Sequence, residues 1–487
     1  MSGQMSLATL LGEWCVAPPQ ITVNGLCMDS RRLRAGEAFV AVAGTARHGM
    51  EFAAEAQDRG ACVVIHDGLA PAPALRIPLV EVEGLGARLS RLAARFYHCP
   101  SDRLTLAGVT GTNGKTSTAH FIAQAWQRAG TPAGLIGTLG YGPLHQLQPA
   151  GLTTPDPITV QRMLAECSDA GVENVAMEVS SHALQQGRCA DVAFDVAVFT
   201  NLSRDHLDYH GSMERYAAAK RRLFTDCRPG FAVINADDAF GRSLISELAG
   251  KLEVLAYGTN GGAELRATVM QMDSSGMLLK FVSPWGEGQV HTGLLGRFNV
   301  SNLLAAAGAL ALTGMPWQQL MHQAEMMSAV PGRMHCLGGE NGQPLVVVDF
   351  AHTPDALQQA LNALRAHLHG RLTCVFGCGG DRDRGKRPLM AAVVESLADR
   401  VVMTTDNPRG EPPQRIFDDM LSGMKSPGSA LVVSDRASAI RQAIADSQPG
   451  DIVLVAGKGH ESYQEANGQR VPFSDEGAVR AVLEEAA

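Results

Sequence analysis

The sequence predicts an α/β protein of three domains. These are a small N-terminal α/β domain over 1–100, a central parallel sheet with a small antiparallel insertion over 101–335, and a C-terminal Rossmann-like domain over 336–487. Three observations predict it. A chain of 487 residues suits about three domains at ~150 residues each. Short apolar runs alternate with stretches of helical spacing, the pattern of a mostly parallel sheet covered on both faces. The pattern restarts at two places, after Pro100-Ser101-Asp102 and near Cys336.

In the first ~100 residues, Ala38 to Val42 and Ala61 to Ile65 read as strands and Leu89 to Tyr97 as a helix. Pro100-Ser101-Asp102 reads as a linker. The second unit opens on a strand at Leu104 to Ala107, a glycine-rich turn and a helix from Ser117 to Arg128. Val175 to Val179, Val192 to Phe199 and Phe231 to Ile234 are further strands. Alternation around Leu278 to Val282 predicts the antiparallel insertion, and Val300 to Leu312 a helix. The third unit carries strands at Leu345 to Val348, Leu372 to Phe376, Val401 to Met403, Leu431 to Val433 and Ile452 to Val455, separated by helices, which is a doubly wound pattern.

Composition narrows the function. Hydrophobic residues make up 45% of the chain, enough for buried cores. A net charge of -8 lacks the basic footprint of a nucleic-acid binder. No run of ~18 apolar residues occurs, so no membrane span is expected, and Met1 to Glu13 does not read as a signal peptide. The ten cysteines contain no Cys-x-x-Cys and read as buried or free thiols of a reducing compartment, the cytoplasm.

The strongest chemical signal is strand, Gly108-Val109-Thr110-Gly111-Thr112-Asn113-Gly114-Lys115-Thr116, then helix. Glycines let successive N–H groups face phosphate oxygens, and the helix N-terminus adds partial positive charge. Lys115 would reach the β and γ phosphates of ATP, and the Thr116 hydroxyl would ligate Mg2+. The usual spacing places glycine at 109, where this chain has valine. With no Asn-Lys-x-Asp guanine signature, adenine is favoured. The central domain is therefore expected to be P-loop ATPase-like.

Glu178 closes a buried strand, where a carboxylate suits magnesium. Asn201 to His210 follows another strand end; its sharp reading is a second magnesium arm through His206, and its rivals are a zinc site or a polar turn. Lys220 lies in a helical stretch and, on chemistry alone, reads as solvated. Gly377 to Lys386 does not fit a dinucleotide fingerprint, since Arg382 stands where glycine is required; its cations suggest an anion site instead. Asp406-Asn407-Pro408-Arg409 and Gly457 to Glu461 fall on the same sheet edge. Mixed Arg, Asp and Glu fit a zwitterionic ligand.

Together these passages resemble the Mur ligases over nearly the whole chain. The specific stretches are Gly111 to Thr116, Glu178-Val179-Ser180-Ser181-His182, Asn201 to Gly211, Gly332-Arg333, Ala351-His352-Thr353-Pro354-Asp355 and Asp406-Asn407-Pro408-Arg409. The last is similar to the motif of the branch that adds meso-diaminopimelate. The resemblance implies domains for a UDP end, for ATP and for an incoming amino acid. It implies that ATP phosphorylates the D-glutamate carboxylate of UDP-N-acetylmuramoyl-L-alanyl-D-glutamate and that the diaminopimelate amine attacks the acyl phosphate. By matching position, Ser30, Thr45, Ala46 and Arg47 contact the uridine end. Thr153, Thr154, Ser180, Gln186 and Arg188 hold the muramoyl dipeptide, and Leu152 stands where some relatives carry asparagine. Gly111, Thr112, Asn113, Gly114, Lys115, Thr116, Ser117, Asn299, Arg333 and Asp349 hold ATP. Arg382, Asp406, Asn407, Pro408, Arg409, Gly457 and Glu461 hold diaminopimelate. Lys220 matches the family's carbamylated lysine and joins Thr116, Glu178 and His206 as magnesium ligands, with Lys115, Glu178, His206 and Lys220 catalytic. A monomer is expected. A folate polyglutamate ligase and a nucleotide-regulated scaffold are the alternatives.

Overall fold

The structure is a computed structural model that describes residues 3–485 apart from 17, 19, 45, 46, 72, 73 and 341. It divides into two compact units, Met1–Glu264 with Ala305–Pro316, and Leu265–Leu304 with Trp317–Ala487.

The first unit begins with a four-stranded parallel sheet in the order Leu26–Cys27, Ala38–Ala41, Val63–His66, Leu79–Glu81. The Leu85–Phe96 helix buries Leu85, Leu89, Leu92 and Phe96, a 3–4 residue spacing that presents one apolar face. It starts a turn earlier than the sequence predicts, directly after Gly84 in the left-handed conformation. Pro100–Arg103, where the sequence predicts a linker, forms a 3-10 turn with Pro100 and Ser101 buried, packed on the Pro157–Asp169 helix.

The larger sheet of this unit has the order Gly140–Pro143, Ala133–Gly137, Asn174–Glu178, Thr105–Thr110, Val196–Phe199, Phe231–Asn235, Glu253–Gly258. All neighbours are parallel except the first pair. Parallel strands need crossovers, and the Lys115–Arg128, Pro157–Asp169 and Met213–Thr225 helices lie within them. One register matters most. Glu178 lies opposite Val109, so the glycine-rich turn and the Glu178 carboxylate leave the sheet side by side.

The second unit contains the antiparallel insertion, Leu265–Asp273, Gly276–Ser283 and Gly286–Thr292. Its other sheet has the order His335–Gly338, Leu345–Asp349, Ile452–Ala456, Leu372–Phe376, Arg400–Met403, Leu431–Val432, parallel except for the first pair. Both faces are buried with a period of two. Leu345, Val347, Cys374, Phe376 and Leu454 enter one core, while Val346, Val348, Val375, Val453 and Val455 enter the other. Phe376 pairs with both Met403 and Ala456, which brings the three following loops to one edge. A hairpin at Tyr463–Ala466 and Gln469–Pro472 was not expected, because its residues are polar and exposed at alternate and adjacent positions alike. No helix among the described residues is long and apolar enough to cross a membrane.

Arg387 anchors the second unit's loops. Its side chain is 0% exposed and pairs with Glu411 at 2.9 Å and Asp419 at 2.8 Å. Hydrogen bonds from Arg387 and Arg384 hold both carboxyls down at about 2. Depressed carboxyls contribute stability above their ordinary range, and it is lost as pH falls toward those values. The urea midpoint is therefore expected to drop between about pH 5 and about pH 2. Arg387→Met should cost about 2 kcal/mol at neutral pH and flatten that acid dependence; an unchanged acid limb would remove this assignment.

Candidate active site

The glycine-rich turn is built by backbone need. Gly111 has φ +152°, and a Cβ there would run into the Thr200 hydroxyl. Gly114, at φ +83°, starts the Lys115–Arg128 helix with no side-chain cap, leaving the helix N-terminus open to an anion. Lys115 Nζ donates to the carbonyls of Gly111 and Thr112, both at 2.8 Å, so the ammonium folds over its own loop. Thr112 and Asn113 are tied to the Asn201 loop: Asn113 N–H donates to Asn201 Oδ1 at 2.9 Å, and Thr112 Oγ1 accepts from Ser203 N–H at 3.0 Å. Ser117 lies in the first turn of the helix, half-buried.

Beside the loop, Glu178 is 1% exposed. Its carboxylate accepts from Thr116 Oγ1 at 2.9 Å and from Thr138 N–H at 2.7 Å. Thr138 was not foreseen; it stands directly after the neighbouring strand, where a hydroxyl residue is the available signal. Thr154 Oγ1 donates to the Glu178 carbonyl at 2.8 Å and accepts from Ser180 N–H at 3.0 Å. Arg188 extends this chain, donating to the Thr154 carbonyl at 2.5 Å and to Gln186 Oε1 at 2.6 and 2.9 Å.

Lys220 corrects the solvated reading. It is 1% exposed, donates to the Gly111 carbonyl at 2.6 Å, and lies 4.5 Å from the Tyr216 ring centroid. Burial, followed by the positive charge of Lys115, pushes its amine well below the ordinary lysine range. No carboxylate pairs with it among the described ion pairs. His206 adopts φ +51° at the start of the Leu207–His210 turn, with its side chain half exposed. An unforeseen ring stack holds it: His182 packs on His206 at 4.9 Å and on Tyr209 at 4.1 Å between centroids. A cavity of about 350 Å³ is lined by Lys115, Leu152, Thr153, Thr154, Ser180, His182, Arg188, His206 and Lys220 among others. The dipeptide-assigned and phosphate-assigned residues therefore share one pocket. Leu152 borders it with an exposed apolar side chain.

The donors suit a hard divalent cation. Glu178 and Thr116 offer oxygens at adjacent strand and helix ends, the preference of magnesium. Among the described residues no three His, Cys, Asp or Glu side chains cluster as a metal site, which leaves the zinc reading without its donor set.

Of the residues expected to contact uridine, Ser30 is buried and donates to Glu55 at 2.8 Å, while Arg47 pairs with Glu51 and lies over Phe52. Thr45 and Ala46 lie outside the described residues.

In the second unit, Asn299 is buried, donating to the Leu295 carbonyl at 2.8 Å and accepting from Asn302 at 3.0 Å. Arg333 lies over the Phe350 ring at 4.9 Å. Gly332 precedes it at φ +71° because a Cβ there would strike the Gly459–His460 backbone. Asp349 accepts from the Met334 and Ala351 amides, both at 2.8 Å, and burial pushes its carboxyl up.

The three loops at the sheet edge meet as expected. Asn407 Nδ2 donates to Glu461 at 2.9 Å. Arg409, at φ +52°, donates to the Gly380 carbonyl at 2.9 Å. Pro408 is buried, and its carbonyl accepts from Glu411 N–H at 3.0 Å. Gly457, at φ +119°, lets the Asp406 carboxylate approach to 2.7 Å of where a Cβ would sit. The proposed anion loop needs a correction: Arg384 pairs with Asp419, Lys386 donates to the His352 carbonyl, and only Arg382 of its cations is exposed without a described partner. The unforeseen hairpin buttresses the site, since Gln464 donates to the Asp406 carbonyl at 2.7 Å and Arg409 N–H to the Glu465 carbonyl at 3.0 Å.

Comparison with known proteins matches this layout. The Mur ligase family catalytic domain matches residues 22–97, the Mur ligase middle domain residues 109–310, and the Mur ligase glutamate ligase domain residues 332–459. A UDP-N-acetylmuramoyl-L-alanyl-D-glutamate--2,6-diaminopimelate ligase of Xanthomonas campestris is 50% identical over 489 residues, covering 99% of this chain and 98% of its own. One of Coxiella burnetii is 47% identical over 464 residues, covering 93% and 94%. A solved structure of a ligase of that name superposes with a TM-score of 0.75 at 36% identity, over 99% of both chains. Folylpolyglutamate synthase of Mycobacterium tuberculosis, at 18% identity and a TM-score of 0.59 over 76% of this chain, shares the fold alone. With half its residues identical across nearly full length, and with all three domains matched in order, the chain belongs to the Mur ligase family.

Proposed function

We propose that this chain is an ATP-dependent ligase that joins meso-diaminopimelate to the D-glutamate of UDP-N-acetylmuramoyl-L-alanyl-D-glutamate, releasing ADP and phosphate. The observation that carries the amino-acid choice is the zwitterion-matched edge, with Asp406 and Glu461 for an ammonium and Arg409 and Arg382 for a carboxylate. No hydrogen bond among the described residues ends on the Asp406 carboxylate, which leaves it for a ligand. L-lysine lacks the extra carboxylate and would forgo its charge-assisted pairing with Arg409 and Arg382. Folate-adding synthases share only the fold and have no counterpart claim here.

In this reading residues 1–100 hold the uridine end through Ser30, Thr45, Ala46 and Arg47, residues 101–335 bind ATP, and residues 336–487 bind the amino acid. A carboxylate is a poor electrophile. Transfer of the γ-phosphoryl to it makes an acyl phosphate, which the amine attacks as phosphate leaves and the amine proton passes to solvent. Lys115 and the open helix N-terminus offset charge on the transferring group. Thr154, Ser180, Gln186 and Arg188 orient the acceptor, and Asn299, Arg333 and Asp349 serve the nucleotide. Thr116, Glu178, His206 and Lys220 as its carbamate would hold Mg2+, which supplies charge neutralisation when bound. The work is cytoplasmic, where ATP and the nucleotide-linked acceptor are available, and a monomer contains every residue assigned. The test is product and ADP formation requiring acceptor and meso-diaminopimelate together, which also separates a ligase from a nucleotide-regulated scaffold.

A further inference from the structure

We propose that Lys458 is a positioning residue that makes the amino-acid pocket prefer an amino acid whose distal end carries both an ammonium and a carboxylate over one whose distal end is a bare ammonium. This deepens the ligase reading and rests on it. Lys458 follows the Ile452–Ala456 strand between two glycines in the left-handed region, Gly457 at φ +119° and Gly459 at φ +54°. A Cβ at Gly459 would press on the Gly332 carbonyl and on Phe350, so the backbone has no slack there. The lysine side chain is carried inward and is 0% exposed.

A buried ammonium requires partners. Lys458 Nζ has two, Glu461 Oε2 at 3.0 Å and Asn407 Oδ1 at 3.1 Å. Asn407 Oδ1 also accepts from Glu465 N–H at 2.9 Å. Two donors on that oxygen fix the amide's orientation and aim Nδ2 at Glu461 Oε2, 2.9 Å away. Glu461 Oε2 thus takes two donors, and no described hydrogen bond ends on Oε1. Lys458 in this way decides which Glu461 oxygen faces a ligand and offsets that carboxylate's charge.

The consequence concerns discrimination. Diaminopimelate and lysine both bring an ammonium to Asp406 and Glu461. Only diaminopimelate also brings a carboxylate to Arg409 and Arg382. Without the Lys458 charge the pocket is one unit more negative, which repels the distal carboxylate and favours the amino acid whose distal end is a bare ammonium.

The experiment measures initial rates of the full chain with meso-diaminopimelate or L-lysine at saturating ATP and acceptor, for wild type, Lys458→Met, Lys458→Gln and Lys458→Arg. The Met and Gln variants are expected to raise KM for diaminopimelate about tenfold and to lower the preference for it over L-lysine by about tenfold or more. In a separate series with ATP varied at saturating amino acid, KM for ATP should stay within about twofold. The Arg variant, which keeps the charge, should retain the preference within about threefold. If the Met variant does not fold, as judged by its melting curve, the Gln and Arg pair decides. An unchanged preference in the Gln variant, or equal losses in the Gln and Arg variants, overturns the proposal. A wild type that does not use diaminopimelate overturns the ligase reading itself, whereas a selective wild type with equally selective variants overturns only the role of Lys458.

Discussion

Replacing Lys220 with methionine is expected to lower ligation by about 1,000-fold while leaving the melting temperature unchanged or higher. The two halves have different physical causes. Activity falls because the chain loses the amine from which an anionic carbamate forms. The amine nitrogen bonds to the carbon of CO2 and its proton leaves to solvent, giving a negative group beside the glycine-rich turn. Burial favours this by holding the amine well below the ordinary lysine range, so that a larger fraction is uncharged and nucleophilic. Stability moves the other way. With the folded value depressed, the unfolded chain binds the extra proton below the ordinary lysine range, and that linkage opposes folding. Methionine removes the penalty and keeps the contact with Tyr216. The Gly111 carbonyl retains a donor, because Lys115 also reaches it. Rate, melting curve and intact mass of the wild type in bicarbonate buffer check the claim. A gain of one CO2 on Lys220 is expected, and an active Lys220→Met variant would remove the assigned role.

The second large effect falls on the amino-acid side. Arg409→Ala should raise KM for meso-diaminopimelate by at least about 30-fold with KM for ATP within about twofold. Arg409 is anchored by Nη1 to the Gly380 and Asn407 carbonyls, at 2.9 and 3.4 Å. The Glu465 carbonyl holds its N–H at 3.0 Å. Alanine loses the forked donor without freeing the backbone, so the loss reports recognition of a carboxylate rather than collapse of the loop. Steady-state kinetics with each substrate varied in turn checks this. Equal losses for ATP and diaminopimelate would sink it.

Much of this was legible before any coordinates. The strand at Leu372–Phe376 is legible to its bounds because burial on both faces leaves no competing period, whereas Val192 to Phe199 begins only at Val196 and Ala61 to Ile65 only at Val63. The glycine-rich turn was legible because the conformations of Gly111 and Gly114 demand glycine. Lys220 was not, since a lysine in Tyr216 to Arg222 has the spacing of any surface helix; its burial comes from the loop carrying the Gly111 carbonyl, more than 100 residues earlier in the chain. The anion character of Gly377 to Lys386 was overestimated, because Glu411 and Asp419, which neutralise Arg387 and Arg384, arrive from the following loop and helix. Thr138 and Gln464 were missed, and His182 and Lys458 lay in passages singled out without a role of their own, for a common reason. Each acts on another side chain or backbone group, a relation that spacing along a chain does not record.

The central claim, ligation through an activated D-glutamate carboxylate with diaminopimelate as the attacking amine, is tested most directly by isotope transfer. The acceptor is prepared with 18O in the D-glutamate carboxylate and incubated with the full chain, ATP and Mg2+. With meso-diaminopimelate present, one labelled oxygen should leave in inorganic phosphate while the other stays in the new amide, with ADP formed in step. With L-lysine in its place, product and labelled phosphate should be scarce. Unlabelled phosphate alongside amide product, or equal turnover with lysine, would contradict the account.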